Sequence, residues 1–310
     1  MRIVIALALS ASVLALGAAT AQTRAPGQLA ATPPGPSAAP VAAGSNCAGN
    51  PNALGVARTV EIDTTEGPGF GKEHFNMHDF LRPGEVVLTF DDGPWQTTTP
   101  AVLAALAAHC TKATFFPIGK HATYYPEILR QIAEAGHTIG NHTWGHKDLS
   151  KKPYDTDLEA AKTEIEMGIS AVQIAVGGPV APFFRFPALR HPPELVKYLA
   201  ERNIGMFSTD LDSFDFTMRR PEQVVQSVMN RLKKHGKGIV LMHDFQQPTA
   251  KAVPDLLAEL KAHGFKIVHM RAKDPVKSLA RYDELVRKEQ KLPAVSSRPT
   301  STVVRTIDGN

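Results

Sequence analysis

Val86-Val87-Leu88-Thr89-Phe90-Asp91-Asp92-Gly93-Pro94 is the stretch on which the reading of the chain turns. Its apolar run reads as a strand and Gly93-Pro94 as the turn that ends it, so two adjacent acids sit at the strand's carboxyl end. Neighbouring residues in an extended or turning segment point in different directions, and Asp91 and Asp92 are therefore expected to do different jobs. Further along stands His142-Thr143-Trp144-Gly145-His146. One carboxylate and two imidazoles suffice to hold a catalytic metal such as zinc with positions left open. The second carboxylate is then spare to take a proton from an activated water. Taken alone, the acids could instead cap the turn before Gly93-Pro94.

Outward from this stretch, short apolar runs alternate with helical patterns from Glu85 to Met270, which predicts repeated strand-helix units in a parallel sheet or barrel. Strands are expected at Val86–Phe90, Ala113–Ile118, Thr138–Gly140, Phe183–Phe186, Gly205–Ser208, Gly238–Met242 and Lys266–His269, seven in all and short of a full eight-stranded barrel. Helices are expected from near Pro100, Pro126, Thr156, Pro193, Pro221 and Ala250; proline in a first turn gives up no needed amide. On this drawing Asp91 and Asp92 follow the first strand, His142 the third, Arg185 ends the fourth, Asp212 and Asp215 follow the fifth, and His243 ends the sixth. All lie at carboxyl ends of strands, the face on which parallel barrels and doubly wound sheets assemble their sites.

Spacing alone does not single out the histidines. Twelve histidines in 310 residues give roughly half a chance pair four apart by composition. His74 and His78 are such a pair, with no strand or acid pair before them, and a surface or structural role is expected for them. His142 and His146 differ in following a predicted strand, among Gly140, Asn141 and Gly145. His243 would donate a proton to a leaving group, held protonated by Asp212 or Asp215 from the neighbouring strand end, although a lone strand-end histidine is also an ordinary core residue. Arg185 could pair with the base carboxylate and keep it ionised, or be an ordinary surface arginine.

The flanks bound where the chain works. Residues 1–21 combine Arg2, an apolar stretch from Ile3 to Leu16 and a closing Ala19-Thr20-Ala21, the pattern of a secretory signal cut before Gln22. Residues 22–46 are almost all Ala, Pro, Gly, Ser and Thr and read as a disordered linker. Residues 47–84 are taken as an extension packed on the main domain, 85–273 as that domain, and 274–310 as a charged helix, Val276 to Lys291, with a disordered tail. Cys47 and Cys110 suit an oxidising compartment, where they could bond. These features predict a secreted or periplasmic protein with no stable membrane insertion once the signal is cut. The net charge of +4 is mild and the basic residues are scattered, which leaves nucleic-acid binding without support. Oligomeric state is left open.

From Val86 to His269 the motifs resemble, in order, those of the polysaccharide deacetylases with a NodB-type domain, the fourth carbohydrate esterase family. Residues 89–94 are similar to the first motif, which implies Asp91 as the base and Asp92 as a metal ligand. Residues 142–146 are similar to the second, which implies His142 and His146 as the other ligands. Arg185-Phe186-Pro187 resembles the third, whose arginine supports the base, and Asp212-Ser213-Phe214-Asp215-Phe216 the fourth. Leu241-Met242-His243 resembles the fifth, which implies Leu241 in the acetyl pocket and His243 as the acid; Pro187 and Phe216 are taken with Leu241 as substrate contacts. Lys112-Ala113-Thr114-Phe115-Phe116, with Ile118-Gly119, is similar to the family's second strand. The implied fold is α/β, a distorted seven-stranded (β/α) barrel with the active site at the carboxyl ends of its strands. Two positions depart from the family pattern: Ala188, Leu189 and Arg190 follow Pro187 where an aromatic residue and a glycine are usual, and Phe216 stands in place of Trp. Both shape the groove around the sugar.

The resulting expectation is a hydrolase that uses one divalent metal ion, zinc, to remove N-acetyl groups from an acetylated polysaccharide, an N-acetylglucosamine polymer such as peptidoglycan or a chitin-like chain. Asp91 would deprotonate the attacking water and His243 would protonate the departing amine. Two other readings stay open: an O-acetyl esterase on xylan-like glycans or a cyclic-amide hydrolase on the same scaffold, and a noncatalytic glycan-binding protein that keeps the metal site.

Overall fold

A computed structural model describes Cys47 and residues 50–290. The expected signal, the linker and the tail after residue 290 lie outside the described residues. In chain order the elements are β1 (Arg58–Ile62), β2 (Gly69–Phe70), β3 (Glu85–Asp91), α1 (Thr98–Ala108), β4 (Thr114–Phe116), α2 (Gly119–Tyr124), α3 (Pro126–Glu134), β5 (Thr138–Ile139), α4 (Leu158–Val176), β6 (Phe183–Phe184), α5 (Pro193–Glu201), β7 (Gly205–Phe207), β8 (Leu211–Asp212), α6 (Pro221–His235), β9 (Gly238–His243), α7 (Gln247–Ala262), β10 (Lys266–Ala272) and α8 (Ala280–Glu289).

β3 is buried along its whole length because both of its edges are paired. β9 runs beside Val86–Asp91, while the other edge is shared by β10 at Glu85 and Val86 and by β4 at Thr89–Asp91. Every ladder among the described strands is parallel, and strands covered on both faces need apolar side chains throughout, which is why they read as unbroken runs. One face of β3 sends Val86, Leu88 and Phe90 into a core shared with Leu106 of α1, Leu129 of α3, Ile165 of α4, Val228 of α6 and Leu256 of α7. The opposite face sends Val87 into a second cluster with Phe116, Phe183, Phe207 and Ile239, as the alternation of a strand requires.

Strands β8, β9, β3, β4 and β5 adjoin in one sheet, and β6 and β7 belong to another. A bridge between Asn141 and Phe184 links the end of β5 to β6, and β7 runs through Ser208–Asp210 into β8. The result is a distorted (β/α) barrel. β2 pairs with β7 through Gly69 with Met206 and Phe70 with Phe207, and the Glu73 amide donates to the Thr209 carbonyl at 3.0 Å. The amino-terminal segment therefore lies along the seam between β7 and β8. At the far end of β3, the Arg58 guanidinium of β1 binds Glu85 at 2.6 Å.

All seven expected strands are present within a residue or a few of their expected bounds. β1, β2, β8 and α2 were not read from sequence. β2 and β8 are short and sit among glycines and aspartates with no apolar run of their own, α2 has six residues, too few to carry a period, and β1 (RTVEI) alternates between its faces amid charge. Cys47 and Cys110 form a disulfide with Cα atoms 5.7 Å apart, fixing the start of the described chain next to the end of α1. No helix among the described residues is long and apolar enough to cross a membrane.

α4 begins at Asp157, whose side chain accepts the Ala160 amide at 2.9 Å, and stops at Gly177 in the left-handed region. Across its outer face lies α8, the observed part of the charged helix expected from Val276. Tyr282 and Val286 of α8 pack with Met167 and Ala171 of α4 and with Trp144, the residue between the paired histidines. Tyr282→Ala should lower the unfolding free energy by about 3 kcal/mol, as large-to-small changes at buried aromatic sites do. Urea unfolding checks the loss, and a red shift of the Trp144 emission checks its location.

Candidate active site

The end of β3 turns sharply. Asp92 adopts φ 73°, and the next residue must be glycine because a Cβ on Gly93 would overlap the carboxylate of Asp244. That buried carboxylate accepts the Gly93 amide at 3.0 Å and the hydroxyl of Thr99 from α1. Asp244 thus holds the turn that sets the direction of Asp92. Sequence reasoning missed it; the signal available was an acid directly after a strand-end histidine.

Asp92 Oδ1 lies 3.4 Å from Nε2 of His142 and 3.4 Å from Nε2 of His146. The three donor atoms fall within 4.8 Å of one another. His142 Nδ1–H donates to the Arg185 carbonyl at 2.7 Å, which leaves its Nε2 as a bare ring nitrogen. Burial first, then the neighbouring His146, lowers the His142 pKa well below its ordinary value, keeping that ring neutral. The loop carrying the histidines is tied to α4: Trp144 N–H donates to the Glu164 carbonyl at 2.7 Å and Gly145 N–H to Glu164 Oε2 at 2.8 Å. Asp92 Oδ1 is buried and has no hydrogen-bond donor. A buried carboxylate oxygen facing two imidazole nitrogens is costly without a cation, and a carboxylate with two histidines is a donor set suited to a divalent ion such as zinc.

Asp91 points the other way, into the barrel. Its Oδ1 accepts Arg185 Nη1 at 2.7 Å. Arg185 is fully buried, and its remaining donors reach Thr89 Oγ1 at 2.8 Å, the Phe207 carbonyl at 3.1 Å and the Ser208 carbonyl at 2.9 Å; its guanidinium lies 4.3 Å from the centre of the Phe116 ring. Burial pushes the Asp91 carboxyl up to about 6, against the opposing pull of Arg185 and then His243.

On the other side, His243 Nδ1 bonds Asp215 Oδ1 at 2.6 Å, and the His243 amide donates to Asp215 Oδ2 at 2.8 Å. Burial disfavours the imidazolium, but the hydrogen bond and charge of Asp215 outweigh it and raise the His243 pKa to about 9. His243 Nε2 stands 4.0 Å from Asp92 Oδ2. Asp212 accepts the Phe214 amide at 2.8 Å and makes no hydrogen bond to His243, so of the two acids expected beside that ring only Asp215 reaches it.

Asp91, Asp92, His142, His146 and His243 open into one cavity of about 590 Å³, which Asp212, Leu241 and Phe216 also line. Pro187 does not; it is buried, and Ala188, Leu189 and Arg190 present themselves instead, because Ala188 and Leu189 take φ of 52° and turn the chain outward. Glu73 and His74 reach the same cavity from the amino-terminal segment. His74, expected in a surface or structural role, bonds Ser208 Oγ at 2.7 Å and packs its ring 4.6 Å from that of His191.

The His243–Asp215 pair should add stability that is fully present below the ordinary histidine pKa of 6.5 and is lost as pH rises through about 9. In Asp215→Asn, only the charges of Asp92 and Asp91 would oppose burial, and the His243 titration should fall below 9. Proton NMR of the His243 ring across pH measures both.

Residues 81–206 match the family model for polysaccharide deacetylase. A peptidoglycan-N-acetylglucosamine deacetylase of Listeria monocytogenes is 32% identical over 186 residues, 59% of this chain and 37% of that protein. The chain thus spans little more than a third of that relative's length. A chitooligosaccharide deacetylase of Azorhizobium caulinodans is 31% identical over 175 residues, 55% of this chain and 79% of that protein. Among solved structures, a peptidoglycan deacetylase of Bdellovibrio bacteriovorus superposes with a TM-score of 0.64 at 32% identity, covering 72% of this chain and 61% of that one.

Proposed function

The chain belongs to the polysaccharide deacetylase family, and on that premise we propose that it is a secreted, metal-dependent hydrolase that removes N-acetyl groups from an N-acetylglucosamine polymer. The observation that carries the reading is the pairing of two proton carriers of opposite kind on either side of the Asp92–His142–His146 group: the buried Asp91 on Arg185, and the partly buried His243 on Asp215. Peptidoglycan and chitooligosaccharide, the substrates named for the relatives, share the N-acetylglucosamine unit. The leader pattern and the Cys47–Cys110 disulfide support export.

A divalent ion held by Asp92, His142 and His146 would polarise the amide carbonyl and make a water more acidic. The chain's own residues account for the proton movements. Asp91 accepts the proton of the attacking water at the oxygen not held by Arg185, which stays 4.0 Å from His142 Nε2. Arg185 keeps that carboxyl ionised despite its burial. His243, charged through Asp215, donates from Nε2 to the nitrogen of the departing sugar amine, and the Asp215 carboxylate keeps Nδ1 protonated and the ring in place. Leu241 and Phe216 give the acetyl group and the sugar apolar surfaces to rest on. The products are acetate and a sugar amine that carries positive charge at neutral pH.

Incubation with N-acetylglucosamine oligomers or peptidoglycan should release acetate and free amine in equal amounts, stop with a chelator and resume on adding zinc. Asp91→Asn should cut turnover by roughly a thousandfold while metal analysis still finds one ion per chain. Acetate from O-acetylated xylan alone, or turnover indifferent to thorough metal removal, would sink the proposal.

A further inference from the structure

Away from the candidate centre the strands leave a second opening. β10 pairs with β3 only at Lys266 and Ile267, and β4 takes over the same edge of β3 from Thr89. A fork therefore opens where β10 turns aside to run with β1, and its other arm is the chain that leads into β4 and β5. Lys112 and His137 stand just before those two strands, at the ends opposite to the face that carries Asp92 and His142. The cavity in the fork has a volume of about 590 Å³, within the range of small-molecule sites, and Cys110 of the disulfide stands on its wall.

The lining carries charge of one sign. Lys112 and His137 enter it from the β4 and β5 side and His269 and Arg271 from β10, with Thr59 of β1 beside His269 in the ladder. Among the described residues no carboxylate lines it. Glu61 is the neighbour of Arg271 in the same ladder but stays outside the cavity. The ion pairs of this region run elsewhere, Arg58 to Glu85 and Lys273 to Asp63, and leave Lys112 and Arg271 with none among the described residues. A recess lined by one sign of charge concentrates its field on a counter-ion.

The two imidazoles add direction to that field. His137 is 8% exposed, and its Nδ1 accepts the Ala113 amide at 3.1 Å, so its proton sits on Nε2, a donor with no protein partner among the described residues. Thr138 Oγ1 donates to the Met270 carbonyl and accepts from His269 Nε2 at 3.0 Å, which ties the two arms of the fork together. Burial and then Lys112 push the His137 pKa down to about 3, and burial and then Arg271 push that of His269 down to about 4. Both rings are neutral at pH 7, and the positive charge there belongs to Lys112 and Arg271.

We propose that Lys112, His137, Arg271 and Thr59 form a second binding site, for a phosphate ester. Their donors come from four strands and therefore from different directions, which suits the tetrahedral oxygens of a phosphoryl group better than a planar carboxylate. The volume leaves room for the group esterified to it. The inference goes beyond the deacetylase reading and does not depend on it.

Glycerol 3-phosphate tests it, titrated into the zinc-loaded protein at pH 7 and followed by calorimetry and by proton NMR of the His137 ring. Saturable binding that moves the His137 resonances is the expected result. Lys112→Gln and Arg271→Gln should each weaken it roughly tenfold, the loss of one charge-assisted contact, with circular dichroism reporting that both variants fold. Asp92→Ala, which removes a candidate metal ligand, should bind as the wild type does. Inorganic phosphate and acetate should bind at least several-fold more weakly than the ester. No saturation below about 10 mM, or unmoved His137 resonances, would overturn the site. Binding lost in Asp92→Ala but kept in Lys112→Gln and Arg271→Gln would place the anion at the metal centre and overturn it as well. Equal affinity for inorganic phosphate or for acetate would overturn the assignment to a phosphate ester.

Discussion

The buried guanidinium of Arg185 is the constraint on which the rest depends. Taking such a charge out of water costs several kcal/mol unless its donors are satisfied, and here they are spent on Asp91, Thr89 and the carbonyls of Phe207 and Ser208. Those partners come from β3 and from the end of β7, on opposite sides of the barrel interior, so one side chain braces the two sheets against each other. The same residue's main-chain carbonyl fixes the tautomer of His142. A single position thus orients the candidate base by its side chain and a candidate metal ligand by its backbone.

The two adjacent acids diverge because their surroundings do. Asp91 shares the inward face of β3 with Val87 and Thr89 and meets the guanidinium there, whereas Asp92 is turned out by its left-handed backbone and by Asp244 behind Gly93. His243 completes a gradient of protonation across the cavity. Between about 6 and about 9 the Asp91 carboxyl is ionised and the His243 ring charged, the opposite states that a base and an acid need at the same time. Burial pushes both groups toward neutrality; Arg185 limits that push on Asp91, and Asp215 reverses it on His243.

Much of this was legible in the sequence because the informative residues sit at strand ends, where a long apolar run fixes their position. β3, β9 and the loop after β5 could be read in that way, and so could Asp91, Asp92, His142, His146 and His243. Asp212 and Asp215 could not be told apart. β8 has two residues and is followed by a 3-10 turn at Asp215–Thr217 entered through Phe214 at φ 55°, and this reversal, invisible in hydropathy, is what swings Asp215 back to His243. Asp244 escaped notice because its partners, the Gly93 amide and the Thr99 hydroxyl, lie 151 and 145 residues away, and no local pattern joins them. Glu73 and His74 reach the cavity because β2 pairs with β7, and β2 lies in the glycine-rich run Gly67-Pro68-Gly69-Phe70-Gly71, which offers no apolar run to read.

Trp144 joins the beginning of the story to its end. It stands between the two histidines that face Asp92, yet its cover comes from Tyr282 and Val286, among the last described residues of the chain. A chain that ends before residue 280 loses the side chains of α8 that cover that indole and give the histidine loop its outer support. The loop that presents both histidines to Asp92 is thus covered by the last described helix, and a truncation far from the candidate centre in sequence reaches it in space.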